Sequence, residues 1–331
     1  MGKINHIRTA SMSREEWLLE RKNGIGGSDI GAILGMNPYR SAYAVWAEKL
    51  GMIPDTPDNE AMRQGRDLED YVSHRFQEVS GFKVHRVNAI IENDAYPHIR
   101  CNVDRLISGQ RAGLECKTAS ALGEKRFRDG NFPEHYYAQC VAYMAVTECD
   151  RWYLAVLVLG MDFKVYQLTR IPNDELPEWC ESSVYVSDDE FSAMRDMAID
   201  FWQHVETKTP PPIDGSASTS AAICALHPES TPDISADLSG FDSALATYKR
   251  LKAQEKEIGT ALAETENLIK EFMGDAESGI WDGGKISFRS QIRTTFDSKK
   301  FIADHPQLDI SKYIKSSTTR PFKVTFAKES R

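Results

Sequence analysis

Apolar positions along this chain alternate between two spacings, and the alternation predicts the elements. Ser13 and Glu16 form a capping box ahead of a short amphipathic helix that runs through Trp17 and Leu18 to about Arg21. Glycines 24, 26 and 27 stand just before Ser28 and a helical stretch to about Leu34. Asn37-Pro38 predicts a turn, and Ser41 opens a helix that ends at Gly51. "NEAMRQGRDLEDYVSHRFQEVSG" reads as one long helix from about Asn59, with Met62, Leu68, Val72, Phe76 and Val79 near helical spacing and Gly81 as its stop. The spacing then changes. "FKVHRVNAII", "HIRCNVDRLIS" and "RAGLECKTAS" predict three strands, with Gly109 turning between the last two. A helix in "PEHYYAQCVAYMAVTE", a hairpin of "RWYLAVLVLG" with "MDFKVYQLTR", and a helix over 188–207 complete an α/β core with a mixed sheet.

Prolines and small polar residues break the pattern in "TPPPIDGSASTSAAICALHPESTPDIS", which predicts a linker. The expected division is an α/β core over 1–207, a linker over 208–235, and a C-terminal unit over 236–331. That last unit would hold one long helix with alternating charges, a hairpin around Asp282-Gly283-Gly284, a small helix, and a closing strand in "RPFKVTF". No internal repeat is present.

Composition narrows the class without naming it. With 41% hydrophobic and 27% charged residues, no window approaches the ~18 apolar residues of a membrane helix. The first residues lack the apolar stretch of a secretory signal, so a cytoplasmic location is expected. The six cysteines contain no C-x-x-C pair, which argues for reduced, mostly buried thiols over zinc or disulfides. The net charge of −9 hides an asymmetry: residues 280–331 carry 11 Lys+Arg against 5 Asp+Glu, and the remainder carries 29 against 44. A basic tail on an acidic body fits contact with nucleic acid or with an acidic partner, or a plain solvated surface.

The candidate chemistry lies in "IRCNVDRLISGQRAGLECKTAS". Residues two apart on a strand share a face, so Glu115 and Lys117 stand side by side while Cys116 faces away. With Asp104 on the neighbouring strand, three charged groups converge, and burying them uncompensated would cost several kcal/mol. One compensation is a salt bridge at a sheet edge. The other is a divalent cation, for which two carboxylates and a backbone carbonyl are hard oxygen donors suited to Mg²⁺ or Mn²⁺, with the lysine orienting or deprotonating water and offsetting charge on a phosphate.

The segments "GIGGSDIGAILGMNPYRSAYAVWAEKLG", "QGRDLEDYVSHRFQEVSG", "CNVDRLI", "GLECKTAS" and "YYAQCVAYM" occur in this order. Together they resemble the YqaJ-type viral recombinase nucleases, relatives of phage lambda exonuclease within the PD-(D/E)XK superfamily. The resemblance covers about residues 13–160 and continues more loosely to the C-terminus. It implies a restriction-endonuclease-like core, a central mixed sheet flanked by helices, with a C-terminal helical and β appendage. It further implies a metal-dependent 5′→3′ exonuclease on linear duplex DNA, working with two Mg²⁺ ions that Mn²⁺ can replace, releasing 5′-mononucleotides and leaving 3′ overhangs for single-strand annealing.

Transferred onto this sequence, the resemblance makes Asp104, Glu115 and the Cys116 carbonyl metal donors. Glu69 becomes the acid of the second metal, Lys117 the water-positioning group, and Gln139 a residue that orients the nucleophile. Arg21 and Ser28, with Arg40 as a third contact, would hold the 5′-terminal phosphate; a plain N-cap is the other reading of Ser28. Met62 would be either a wedge at the last base pair or a core residue. Asp94 matches an acidic position with no definite role. A ring-shaped homotrimer and a single-strand annealing protein are the implied partners, in a bacterial host's cytoplasm and of phage or prophage origin. The basic C-terminal region is the candidate docking surface, although lambda exonuclease itself is shorter and has no obvious counterpart to it. The isolated Cys180 and Cys224 exclude an iron–sulfur nuclease. An endonuclease on the same core, or a catalytically silent end-binding or scaffolding module, stays open.

Overall fold

The computed structural model describes residues 2–54, 58–315 and 319–325, and the chain divides into two units, Met1–Pro228 and Glu229–Arg331. In the first, elements follow in the order β1 (Ile4–Arg8), α1 (Arg14–Lys22), β2 (Ile25–Gly26), α2 (Gly27–Ile33), α3 (Ala42–Lys49), α4 (Glu60–Ser80), β3 (Val84–His85), β4 (Ala89–Asn93), β5 (Ile99–Cys101), β6 (Arg105–Ile107) and β7 (Ala112–Ala119). A 3₁₀ segment (Ala121–Phe127) leads to α5 (Glu134–Thr147), β8 (Arg151–Val158), β9 (Asp162–Thr169), β10 (Ser182–Tyr185), α6 (Asp188–Glu206) and α7 (Ala217–Leu226). The architecture is mixed α/β, with helices flanking a central mixed sheet.

That sheet has six strands in the order β10-β9-β8-β7-β6-β3, and β7 with β8 and β9 with β10 are its parallel pairs. Strand β8 shows why it sits in the middle. Its sequence is an almost unbroken apolar run, as expected for a strand covered on both faces. Trp152, Leu154, Val156 and Val158 join the core beneath α5. Tyr153 and Ala155 face the other way, into a smaller core with Val72 and Phe76 of α4. A second sheet of order β1-β4-β5-β2 packs beside the α5 layer.

Helix limits follow local chemistry. Ser13 and Glu16 make their reciprocal cap on α1, Ser41 caps α3, and Asn59 caps α4, which stops at Gly81 with φ +73°. Such a left-handed end costs glycine little.

Three sequence expectations need correction. "FKVHRVNAII" and "HIRCNVDRLIS" are not single strands. The first divides into β3 and β4 and the second into β5 and β6, and in each case the halves belong to different sheets. Asp104 therefore lies at a crossing between sheets, just before β6. The expected linker over 208–235 also does not hold for its first part, because α7 packs on α3 within the first unit, with Thr219 and Ala222 buried and Ser218 Oγ accepting the Ser41 N–H at 3.1 Å. Small side chains, which look like linker composition, are what let this short helix approach closely. Strands β1 and β10 carried too weak a pattern to be predicted.

The second unit contains the expected long helix, α8 (Asp242–Met273), the hairpin of β11 (Ser278–Trp281) with β12 (Gly284–Ser287), and a small helix, α9 (Ser298–Asp304), followed by a 3₁₀ turn. The closing strand does not appear in residues 319–325; the last residue of "RPFKVTF", Phe326, lies outside the described residues. Among the described residues no helix is long and apolar enough to cross a membrane. All six cysteines are free thiols, four of them buried.

Candidate active site

The hairpin of β6 and β7 builds the site. Arg105 pairs with Leu114 and Leu106 with Gly113, so Asp104, one step earlier, comes opposite Glu115. The Cys116 N–H donates to Asp104 Oδ2 at 2.8 Å, tying the crossing segment to the strand. Glu115 and Lys117 lie beside Leu154 and Val156 of β8 and share their α5 face, as strand alternation requires.

Glu115 is 2% exposed, and its two oxygens have different surroundings. Oε1 accepts from Lys117 Nζ at 2.5 Å and from Gln139 Nε2 at 2.7 Å. Oε2 is buried, with no hydrogen-bond partner among the described residues. Gln139 also donates to the Tyr143 hydroxyl at 2.6 Å, one helical turn along α5. Tyr143 fits because residue 27 is glycine: a Cβ there would fall 2.3 Å from the tyrosine ring. The first residue of α2 thus supports the acid on β7 through two side chains, Tyr143 and Gln139.

Burial, with the Glu115 and Glu69 carboxylates nearby, pushes the Asp104 carboxyl well above the usual carboxylate range. Burial works against the Lys117 ammonium, but Glu115 and Asp104 outweigh it and hold the lysine above its ordinary value. Lys117 also sits 5.0 Å from the centre of the Tyr136 ring. The site is thus an acid pair with one cation and one orphaned carboxylate oxygen.

These residues fit a hard divalent cation. An unpartnered buried oxygen costs about 1–3 kcal/mol, more when charged, and a cation beside Asp104 and Glu115 relieves both that cost and their mutual repulsion. No group of three or more His, Cys, Asp or Glu side chains converges as a ligand set among the described residues, so a cation here would draw on the two carboxylates and on backbone oxygen. Glu69 is on α4, where Arg105 Nη1 holds its Oε1 at 2.5 Å. The same nitrogen donates to the Asp104 carbonyl at 2.6 Å, and Arg86 lies 3.6 Å from Glu69. The sequence reading missed Arg105, Tyr136 and Tyr143. Tyr143, four residues after Gln139 on one helix, carried the readable signal.

Of the other predicted residues, Arg21 and Ser28 come together away from the acid pair, with Arg21 Nη2 donating to Ser28 Oγ at 3.3 Å. Ser28 is not the N-cap of α2; Gly26 is, and Asp29 Oδ2 accepts its N–H. Arg40 is committed elsewhere, to Asp29 at 2.5 Å and to Glu48. Met62 is 44% exposed near the start of α4, not in the core. Asp94 accepts from Asn5 of β1, in the four-stranded sheet, at 3.5 Å.

Residues 16–150 match the model of the YqaJ-like viral recombinase domain. The uncharacterized protein YqaJ of Bacillus subtilis (strain 168) is 34% identical over 316 residues, covering 94% of this chain and 93% of that protein. Among solved structures, the alkaline exonuclease LHK-Exo from Laribacter hongkongensis overlaps 59% of this chain and 93% of its own, at 18% identity and a TM-score of 0.47. A phage-related exonuclease from Haemophilus somnus 129PT overlaps 56% and 96%, at 12% identity and a TM-score of 0.40. The match along almost the whole of both sequences carries the assignment: this chain belongs to the YqaJ family of viral recombinases.

Proposed function

We propose that the chain is a metal-dependent 5′→3′ exonuclease that degrades one strand of linear duplex DNA to 5′-mononucleotides and leaves a 3′ overhang for recombination by annealing. The observation that carries this reading is the buried Glu115, with one oxygen held by Lys117 and Gln139 and the other without a partner. Asp104, Glu115 and the Cys116 carbonyl would hold Mg²⁺, or Mn²⁺ in its place, and Glu69 would serve a second ion. When bound, the metal supplies Lewis-acid stabilisation of charge at the scissile phosphate.

The protein's own groups do the positioning. Lys117, kept as an ammonium, places a water and offsets negative charge that develops on the phosphate. Gln139, fixed by Tyr143, holds Glu115 in one orientation. Arg21 and Ser28 bind the terminal 5′ phosphate, and each cut regenerates the group they bind, which gives the reaction direction and step. Met62, exposed near the start of α4, serves as the apolar wedge at the last base pair. A homotrimeric ring would keep the enzyme on DNA despite the acidic body, with an annealing protein on the product strand.

The test is digestion of a linear duplex bearing a 5′ phosphate or a 5′ hydroxyl, with Mg²⁺ or EDTA. Mg²⁺-dependent release of mononucleotides from the phosphorylated end is expected, lowered at least ~100-fold by Lys117→Ala, the scale of a lost proton-transfer or charge-stabilising group. If wild type binds duplex ends and cuts neither substrate, the catalytic reading falls and end-binding replaces it. Light scattering of the purified chain, with a mass of three protomers expected, tests the ring.

A further inference from the structure

Below the Arg21/Ser28 pair lies a buried charge cluster to which the proposed chemistry assigns no role. Asp29, 1% exposed, uses both oxygens. Oδ2 accepts the Gly26 N–H at 2.9 Å and pairs with Lys49 Nζ at 2.7 Å. Oδ1 pairs with Arg40 at 2.5 Å, whose guanidinium also reaches Glu48. Lys49, the last residue of α3, makes a further contact that gives the cluster its direction: Nζ donates to the Arg21 carbonyl at 2.9 Å. One ammonium therefore joins the C-terminal end of α1, where carbonyls have no helical partner, to the carboxylate that caps α2.

The rest of this turn is fixed in the same way. Arg100 Nη1 donates to the Glu20 carbonyl at 3.0 Å and to its carboxylate at 2.7 Å, and a Cβ at Gly24 would fall 2.5 Å from the Arg100 side chain. The Arg21 guanidinium lies 4.8 Å over the Trp17 ring and reaches Ser28. A Cβ at Gly26 would stand 3.4 Å from Arg21 Nη2 and 3.2 Å from Asp29 Oδ2, so the backbone passes closely between cation and acid. Arg40, which the resemblance offers as a third phosphate contact, pairs here with Asp29 and Glu48.

Resting on the phosphate-pocket reading above, we propose that Lys49 and Asp29 are positioning residues that fix the Arg21 backbone relative to Ser28, and so determine how strongly a 5′-phosphorylated end is preferred over a 5′-hydroxyl end. Neither touches DNA. An arginine whose backbone is held at the carbonyl and whose side chain is stacked loses little freedom when it binds a phosphate, and binding that depends on such preorganisation weakens when the anchor is removed. A 5′-hydroxyl end makes no use of Arg21 and is indifferent to the anchor.

The experiment compares kcat/KM on the two ends for wild type, Lys49→Met and Asp29→Asn, with thermal melting alongside; Lys49→Gln, a milder change, replaces Lys49→Met if that variant is not recovered folded. The expected result is a loss of roughly 10-fold in the phosphate-to-hydroxyl ratio, carried by KM on the phosphorylated end. Rates on the hydroxyl end stay within about twofold, and Lys49→Arg restores part of the ratio. A folded variant with an unchanged ratio, or with both ends slowed by the same factor, overturns the positioning role. A wild-type ratio near one instead overturns the phosphate pocket on which it rests.

Discussion

Asp29 shows what one buried charge does when its partners are complete. Burial alone would raise its carboxyl, but Lys49, Arg40 and Arg21 outweigh burial and hold it far below the usual range. A depressed folded-state value contributes stability that is present above the unfolded value, near 3.8, and is lost as pH falls through the folded one. Asp29→Asn removes that contribution and leaves Lys49 and Arg40 short of a carboxylate, at an expected cost of about 3–5 kcal/mol near neutral pH. Melting temperatures from pH 7 to pH 3 are expected to show the gap between wild type and variant narrowing below about pH 4. A gap of constant width would mean that Asp29 is held by its hydrogen bonds and not by its charge. Lys117 illustrates the opposite balance, since a lysine that must stay charged is placed against two acids.

At the scale of elements, α2 fits closely against α5. Gly27 and Gly31 are one turn apart, and Cβ atoms there would fall 2.3 Å from the Tyr143 ring and 2.8 Å from the His135 Cβ. Gly31→Val is therefore expected to push α2 outward and destabilise the chain by about 1–3 kcal/mol, the usual cost of overpacking. Because α2 carries Ser28 and α5 carries Gln139, the same change should lower nuclease activity at temperatures where the fold is intact. Denaturant unfolding paired with the digestion assay measures both. Full activity in a destabilised but folded variant would separate helix packing from site geometry.

On the scale of the whole molecule, the first unit ends at Pro228 and includes α7. A chain cut after Pro228 is expected to unfold cooperatively, whereas one cut after Thr207 loses the burial of Ala222 and the packing of Ile223 and Leu226 on the core. The shorter chain should lose at least ~2 kcal/mol, or roughly 4–8 °C in Tm for a unit of this size. Equal melting of the two would return 208–228 to the role of linker. Calorimetry on the two shortened chains decides it.

The amino-acid sequence by itself determined the elements with strong local signals: the capped helices α1, α3 and α4, the apolar run of β8, and the alternation that sets Glu115 and Lys117 on one face. Each of these depends on residues within a few positions of one another. It also placed Arg21 seven residues from Ser28 across a glycine turn, close enough for the contact observed. Tertiary structure decided what depends on distant partners. Arg105 looked like any strand residue until α4 brought Glu69 and Asp70 to it. The crossing at Asp104 depends on which sheet each half of the strand joins, and a repeating apolar pattern reads the same in either sheet. Alanines and serines of α7 became a packed helix only because α3 offered a surface for them, and Asp29 became a buried anchor only where Lys49 and Arg40 meet it. Local pattern specifies a side chain's face, whereas the group that neutralises it comes from elsewhere in the chain.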